Sequence, residues 1–365
     1  MRGMILIYGA TGFTGRLLAE RLKKKARHAP IVAGRTAHLV QALANRLNAA
    51  GRTFTLDEPD TLDKELADVD VVVNAAGPFT QTAGPLIEAC LRTRTHYLDI
   101  SGELPAFQTA HGYHEIALTS GIMIMPGVGL GVVASDCLAT HVAAKCPHAK
   151  YLRIGLLQPH TISRGSLRAV LGMAQSNVKV RRNGALLSIP IGRLQRSFDY
   201  GDGERMSVAV SWADVFTAYF STGIPNIETY VEANLMSRAV YQITAGTADL
   251  MQVELIQRWL SIAAAAWPEG PPSAQRRQGK CVLVAEAEDG WRRSVCSRLE
   301  TNDGYDFTAE AAAEIARRVV SGNFCAGFQT PAKVYGADLI LGFEGVRRKD
   351  LHRPFPTMPL DRLLA

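Results

Sequence analysis

The sequence predicts a doubly wound α/β sheet followed by a second, α+β domain built on a mainly antiparallel sheet. Three observations carry this. The run Met4 to Tyr8 is apolar without alternation, breaks into Gly9, Gly12 and Gly15, and resumes as a helical pattern. That alternation of strand and helix then repeats as far as Met125. Beyond Ala134 the rhythm changes to strands joined by tight turns. A chain of 365 residues exceeds what a single core usually serves, so two domains are expected, 1–133 and 134–324, with a segment of about 325–365 packing back onto the first.

Taken in order, Met4 to Tyr8 is the first strand, and Leu17, Leu18, Arg21 and Leu22 mark the helix behind it. Pro30 to Arg35 reads as a second strand, Thr36 to Ala50 as a helix rich in Leu and Ala, and Thr53 to Asp57 as a short third strand. Val69 to Asn74 is the fourth, Ala83 to Thr93 a helix, and His96 to Ile100 the fifth. Pro105 to Ser120 reads as helix and Ile122 to Met125 as a sixth strand. In the second domain, Tyr151 to Leu157 is a strand and Ser163 to Gln175 a helix. Val178 to Ile189 is a hairpin turning at Asn183-Gly184. Arg193 to Asp199 and Arg205 to Ser211 flank Gly201-Asp202-Gly203, and Glu228 to Glu232 alternates as a strand. Met236 to Trp267 is helical by composition, and Pro268 to Gly279, with three prolines and two glycines, reads as an exposed loop. Lys280 to Ala287 and Trp291 to Arg298 form a hairpin over Asp289-Gly290, and Thr308 to Val320 is an alanine-rich helix.

The glycine spacing has a chemical meaning in this setting. Gly9 permits a tight turn, Gly12 lets backbone approach a ligand, and Gly15 lets helix and strand pack closely. The helix N-terminus then presents free N–H groups to a diphosphate, as in a Rossmann-type dinucleotide site. The end of the second strand chooses the nucleotide. An acidic residue there suits the adenosine 2′-hydroxyl of NAD, whereas this chain has Gly34-Arg35-Thr36. The Arg35 guanidinium can clamp a 2′-phosphate with the Thr36 hydroxyl assisting, which points to NADP(H); the alternative is that Arg35 covers the adenine face of either cofactor.

Bulk properties exclude several classes. The formal charge of +6 is scattered, with Lys23 to Lys25 and Arg347 to Lys349 the densest runs, so no nucleic-acid partner is expected. Six cysteines without C-x-x-C spacing argue against a metal knuckle or thioredoxin-like motif and for thiols buried in a reducing compartment. Met1 leads almost directly into the first strand with no basic n-region, so no signal peptide is read and the expected location is cytoplasmic. Leu118 to Ser135 is uncharged, but four glycines and Pro126 make it strand, loop and helix start rather than a membrane span.

"GATGFTGRLLAERL", "VAGRT", "VVVNAAGPFTQTAGPLIEAC", "HYLDISGE" and "PGVGLGVVASDCLA" resemble, in this order and spacing, the signatures of saccharopine-dehydrogenase-like oxidoreductases and the bacterial trans-acting enoyl reductases related to them. The resemblance is dense over about residues 4 to 140 and otherwise confined to "GFQTPAKVYG". It implies a nucleotide-binding domain whose crevice is covered by the sheet of the second. By residue, it implies Gly9, Thr11, Gly12, Phe13 and Gly15 at the diphosphate and Arg35 at the 2′-phosphate; Thr14 within the glycine run and Thr36 beside Arg35 are candidates for the same cofactor site. It further implies Ala76, Gly77 and Pro78 along the nicotinamide ribose, and Ser101, Gly102 and Glu103 at the edge of the reaction site. Short-chain dehydrogenases share the glycine spacing and Asn74-Ala-Ala-Gly77, but their chemistry needs a Tyr-x-x-x-Lys pair, and no tyrosine here has lysine four positions on.

Hydride transfer belongs to the cofactor; the protein must orient substrate, exclude water and handle one proton. Asp99 and Glu103 fall at the carboxyl end of the fifth strand, and Glu103 is the first candidate for proton handling or substrate-amine binding. The alternative is a carboxylate capping the helix from Pro105. His111 and His114 share a helix face and read as a packed pair before a proton relay, and Asp136 reads as a helix cap. His160, Arg164 and Ser166 follow a strand and open a helix, an anion-binding corner for a substrate carboxylate or acyl-carrier phosphate. The expected function is hydride transfer, in either direction, between NADP(H) and a C=N or activated C=C bond of a small molecule between the domains. The imine would be amino-acid-derived, as in saccharopine formation, and the C=C that of a thioester or polyketide intermediate. A third reading is a non-catalytic NADP(H) sensor. A homodimer joined through the second sheet is expected from class alone.

Overall fold

The computed structural model describes residues 3–25, 29–158, 162–167, 177–233, 266–291 and 293–351. Its first half is a seven-stranded, all-parallel sheet of order β15-β6-β5-β4-β1-β2-β3. The strands are β1 (Ile5–Tyr8), β2 (Ile31–Gly34), β3 (Gly51–Thr53), β4 (Val71–Asn74), β5 (His96–Asp99), β6 (Met123–Met125) and β15 (Gly327–Phe328). β1, β2, β4 and β5 are buried at every residue, as their unbroken apolar runs require when helices cover both faces. The covering helices are α1 (Phe13–Lys25), α2 (Ala37–Leu47), α3 (Pro59–Leu66), α4 (Phe79–Thr93), α5 (Leu104–Gly112) and α6 (His114–Ser120).

Some boundaries differ from expectation for identifiable reasons. β3 sits two residues earlier than Thr53 to Asp57, and the helix α3 was not anticipated, its apolar stripe being only Leu62 and Leu66. α4 begins four residues before Ala83 and carries Pro85 in its interior. The helix read across Pro105 to Ser120 breaks at Tyr113, and just beyond the break the Nδ1 of His114 accepts from the N–H of Phe328 in β15. His111 and His114 stack at 6.1 Å, and His111 packs among Phe216, Phe220 and Phe328, so the pair is a packing device.

A five-residue π-helical turn, Leu130–Ala134, leads into α7 (Ser135–Lys145), which crosses to the second sheet. That sheet has nine strands, with a main path β10-β11-β12-β7-β13-β14-β16 and β8 pairing β12 and β9. Only β12 and β7 run parallel; the other pairs are antiparallel. The strands are β7 (Ala149–Leu157), β8 (Asn177–Arg182), β9 (Ala185–Pro190), β10 (Gln195–Asp199), β11 (Glu204–Ala209), β12 (Asn226–Glu232), β13 (Lys280–Asp289), β14 (Ser294–Asn302) and β16 (Arg347–Leu351). Asn183 and Gly184 turn the β8–β9 hairpin with φ of 48° and 83°, the left-handed pair that the twist of a two-residue hairpin demands.

Four further helices follow: α8 (Asp214–Thr222), α9 (Ser273–Gln278), α10 (Gly304–Val320) and α11 (Pro331–Tyr335). The stretch from Pro268 to Gly279 is thus partly helical, and Met236 to Trp267 lies outside the described residues except at its last two positions. α10 starts under a cap from Asp303, whose carboxylate accepts from the N–H of Tyr305 and Asp306, and packs against α1 on one face of the first sheet. Residues far along the chain therefore complete the first sheet twice, as α10 and as β15. Five of the six cysteines are buried, and Cys325 is exposed. Among the described residues no helix is long and apolar enough to cross a membrane.

Candidate functional site

The parallel sheet reverses its winding between β1 and β4, and the loops at the carboxyl ends of β1, β2, β4 and β5 form the crevice where such sheets bind ligands. Gly9 leaves β1 with φ of 80°; a Cβ there would sit 2.7 Å from the Ala76 nitrogen. A Cβ on Gly15 would sit 2.3 Å from the carbonyl oxygen of Gly9, so both positions admit only hydrogen. Gly12 is different: it is exposed, and a Cβ would meet only the Gly9 oxygen at 3.3 Å. α1 opens at Phe13 with no acidic residue in its first turn, so its leading N–H groups face the crevice without a competing carboxylate. Bare backbone that side chains would fill, at the head of a helix, fits a dinucleotide diphosphate.

At the end of β2, Arg35 is exposed and makes no ion pair among the described residues. Its charge reaches the Tyr8 phenol, whose pKa is raised by burial and eased by that cation. Thr36 stands at the head of α2 with extended backbone and no hydrogen bond from its side chain to that helix. The Ala76-Gly77-Pro78 loop is held from behind: the Asn74 side chain accepts from the Ala76 N–H and donates to Thr82 and to the Tyr97 hydroxyl, and Thr82 donates to the Ala76 carbonyl.

Two expected catalytic carboxylates have other work. Asp99 is fully buried; it accepts from the N–H of Ser101 (2.9 Å) and Gly127 (2.8 Å) and from the Tyr97 hydroxyl (2.9 Å). Burial lifts its pKa to about 6 against the pull of those donors, and its position makes it a clamp between two loops rather than an acid at a ligand. Glu103 is also buried, its carboxylate accepting from the N–H of Phe79 and Thr80 at the head of α4. It is a cap, though of α4 and not of the helix it precedes. Ser101 supports it, its hydroxyl accepting from the Glu103 N–H.

The anion-binding corner is rearranged as well. His160 lies outside the described residues. Arg164 donates through Nε to the Trp267 carbonyl, and Ser166 shares hydrogen bonds with Ser163 and the Tyr305 hydroxyl. Tyr305 meets the Phe13 ring edge-on at 5.2 Å, so Arg164 and Ser166 belong to a cluster beside the glycine-rich corner. The segment after Trp267 closes over the same corner, with Glu269 paired to Arg16 and Gly270 packed on Phe13.

A small cavity lies where the π-helical turn meets the second sheet. Leu130, Gly131, Ser135, Ile154, Leu156, Trp212, Asp214, Tyr230 and Leu283 line it. Trp212 forms the wall toward β5: its Nε1 would lie 3.2 Å from a Cβ on Gly102 and 3.1 Å from one on Gly131, and its backbone bridges Glu103. Asp214, 1% exposed at the head of α8, keeps one carboxyl oxygen without a hydrogen-bond partner, and burial pushes its pKa up to about 8. Asp136, expected as a cap, is buried on α7 and accepts from the Ala332 N–H, its pKa raised to about 6 by burial. Sequence reasoning missed Trp212 and Asp214, because nothing in the spacing of Ser211-Trp-Ala-Asp links them to Gly102 or Gly131, some 80 to 110 positions earlier.

Known proteins resemble the chain in two ways. The family model of the saccharopine dehydrogenase NADP binding domain matches residues 5–125. A putative trans-acting enoyl reductase of Mycobacterium tuberculosis is 38% identical over 140 residues, 36% of this chain and 33% of that protein. The trans-acting enoyl reductase of Mycobacterium ulcerans is 30% identical over 145 residues, 38% and 35% of the two chains. The matched stretch thus spans about a third of these relatives. Among solved structures, apo saccharopine dehydrogenase (L-Glu forming) of Saccharomyces cerevisiae superposes with a TM-score of 0.64 at 14% identity over 96% of this chain and 100% of that one. Homospermidine synthase of Legionella pneumophila, in complex with NAD, gives 0.65 at 9% identity over 98% and 94%. These two likenesses show the two-domain fold. By sequence, it is thus the first third of the chain that is related to known proteins: residues 5–125 match the saccharopine dehydrogenase NADP binding domain, a nicotinamide-nucleotide-binding domain of an oxidoreductase family.

Proposed function

We propose that the protein is an NADP(H)-dependent oxidoreductase that reduces the activated C=C bond of an enoyl thioester in the cleft between its sheets. The observation that carries this reading is the small cavity beside Trp212: Leu130, Ile154, Leu156 and Leu283 dominate its wall, and among the described residues no lysine, arginine or histidine lines it. An amino-acid-derived imine bearing several carboxylates needs cations in its site. The arginines nearest on the second sheet are engaged elsewhere. Arg153 faces Glu228, Glu286 and Glu288, Arg182 pairs with Glu228, and Arg196 pairs with Glu286. The named activity of the mycobacterial relatives agrees with the apolar wall.

In this reading the main-chain N–H groups of Phe13 to Gly15 hold the diphosphate, the Gly12 N–H being given to the Gly9 carbonyl, and Thr11 and Thr14 border it. Arg35 and Thr36 engage a 2′-phosphate, with Ala76, Gly77 and Pro78 beside one face of the nicotinamide ribose and Ser101 and Gly102 beside the reacting end. The reduced nicotinamide, when bound, supplies a hydride. The protein's own contribution is orientation and dryness: Glu103 fixes α4 against the β5 loop, and Trp212 closes the cavity toward that loop.

A substrate screen tests this. NADPH consumption with short 2-enoyl thioesters, and none with pairs of 2-oxo acid and amine, is the expected result. Consumption with the oxo-acid and amine pairs alone would move the assignment to imine reduction. NADPH binding without turnover on either class would make the protein a sensor.

A further inference from the structure

We propose that Asp214 is the catalytic acid of this site, its carboxyl hydrogen passing to the substrate carbon left electron-rich when the neighbouring carbon is reduced. The inference rests on the enoyl reading above. In that reaction one hydrogen arrives as hydride with the electron pair. The π pair of the C=C bond moves onto the carbon beside the thioester, and that carbon must take a proton. The Asp214 O–H bond breaks as the new C–H bond forms, and the carboxylate left behind is reprotonated from solvent between turnovers. The sum is C=C, reduced dinucleotide and a proton going to CH–CH and oxidised dinucleotide.

Three features place Asp214 in this role. It lines the cavity between Gly131 and the second sheet, with an oxygen that no group among the described residues satisfies. Two residues before it, Trp212 touches the loop after β5, so the cavity adjoins the carboxyl end of the parallel sheet, where the reacting end of a dinucleotide belongs. The surroundings keep it neutral: burial is the main cause, and Asp136 on α7 adds like charge, while Ser135 hydrogen-bonds it and pulls the other way. The other titratable groups on the packed elements do not reverse this. Tyr230 on β12 has its own pKa raised and leans on Glu228. Glu103 is committed to α4, and Arg181 on β8 lies over the Phe216 and Tyr219 rings, donating to the Val215 and Gly184 carbonyls. A buried acid without an ion-pair partner is a proton store at neutral pH.

The test has a spectroscopic and a kinetic arm, both on the full chain. Infrared titration of the ligand-free protein should show a protonated carboxyl band at pH 7 that disappears near pH 8 and is missing from Asp214→Asn. A wild-type spectrum without that band overturns the proposal whether or not the variant folds. With NADPH and a short 2-enoyl thioester, the variant should keep its NADPH affinity by fluorescence and its KM within a few-fold, and lose about 100-fold or more in kcat. Wild-type kcat should fall above pH 8, and the residual rate of the variant should not. A variant turning over at the wild-type rate overturns the proposal. If the wild type oxidises NADPH only with oxo-acid and amine pairs, the enoyl reading fails on its own. The kcat ratio is then read on that substrate, with the proton going to the imine nitrogen, and equal rates again overturn the role of Asp214.

Discussion

The carboxylate of Glu103 accepts hydrogen bonds from the N–H of Phe79 at 3.2 Å and of Thr80 at 3.1 Å, tying the end of β5 to the head of α4. No side chain next to α4 in sequence caps it, so this remote glutamate satisfies donors that burial would otherwise leave unpaired. Glu103→Gln should lower unfolding stability by about 1–2 kcal/mol in urea titrations and leave kcat within about tenfold. A loss beyond 100-fold with NADPH affinity intact would give Glu103 a part in the chemistry.

Gly15 and Gly12 separate folding from binding. Gly15→Ala forces a methyl carbon to within 2.3 Å of the Gly9 oxygen and should cost about 1–3 kcal/mol of stability together with NADPH binding. Gly12→Ala meets that oxygen only at 3.3 Å, so its melting temperature should stay close to wild type while the methyl obstructs the diphosphate and weakens NADPH. Parallel thermal melts and fluorescence titrations distinguish the two.

Arg35 is exposed and unpaired among the described residues, so its removal carries little structural cost. Arg35→Ala should weaken NADPH by about 2 kcal/mol, close to 30-fold, with NADH affinity unchanged, because a guanidinium–phosphate pair is lost only for the phosphorylated cofactor. Arg35→Glu should invert the preference. An unchanged ratio in either variant defeats the NADP(H) assignment.

Stability should depend on pH with a definite sign. Asp214 has its pKa raised from an ordinary 3.8 to about 8, so the native state holds more protons than the unfolded chain across that interval and unfolding free energy falls as pH rises through it. His96 acts oppositely: burial lowers it from 6.5 to about 4, and its contribution grows with pH between those values. Asp99 and Asp136, near 6, have finished titrating by pH 7. Between pH 6.5 and 8 Asp214 therefore dominates, and the wild type should lose about 2 kcal/mol there. Urea titrations at the two pH values should show that loss in the wild type and not in Asp214→Asn.

Arg153 stands among three glutamates on the second sheet, 2.6 Å from Glu288 and 3.6 Å from both Glu228 and Glu286. Arg153→Ala leaves Glu286 and Glu228 buried with less compensating charge and should cost about 3 kcal/mol. Denaturant midpoints check this, and a change under about 0.5 kcal/mol would mean Arg196 and Arg182 suffice.

The nucleotide-binding half was legible because its information is local. A strand buried on both faces is an unbroken apolar run, and Gly9 and Gly15 are forced by atoms a few residues away or on the adjoining strand. What escaped the sequence depends on distant partners. The start of α4 is set by Glu103, 24 positions later, and the break at Tyr113 lies beside a bond from His114 to a strand 214 positions away. Asp99 and Glu103 had the right place for catalysis, yet their hydrogen bonds run to Gly127 and Phe79, which no local pattern announces. Trp212 and Asp214 reach the site only because the second sheet folds over the first.

The return of the chain to the first sheet orders its synthesis. β6 has an open edge until Gly327 and Phe328 arrive, and the apolar face of α1 waits for α10, so the nucleotide-binding unit stays unfinished until more than 320 residues have left the ribosome. A fragment ending near residue 150 should accordingly aggregate through that bare edge, and supplying residues 266–351 as a separate polypeptide would return α10 and β15 but not β7 and β12, which lie in neither piece.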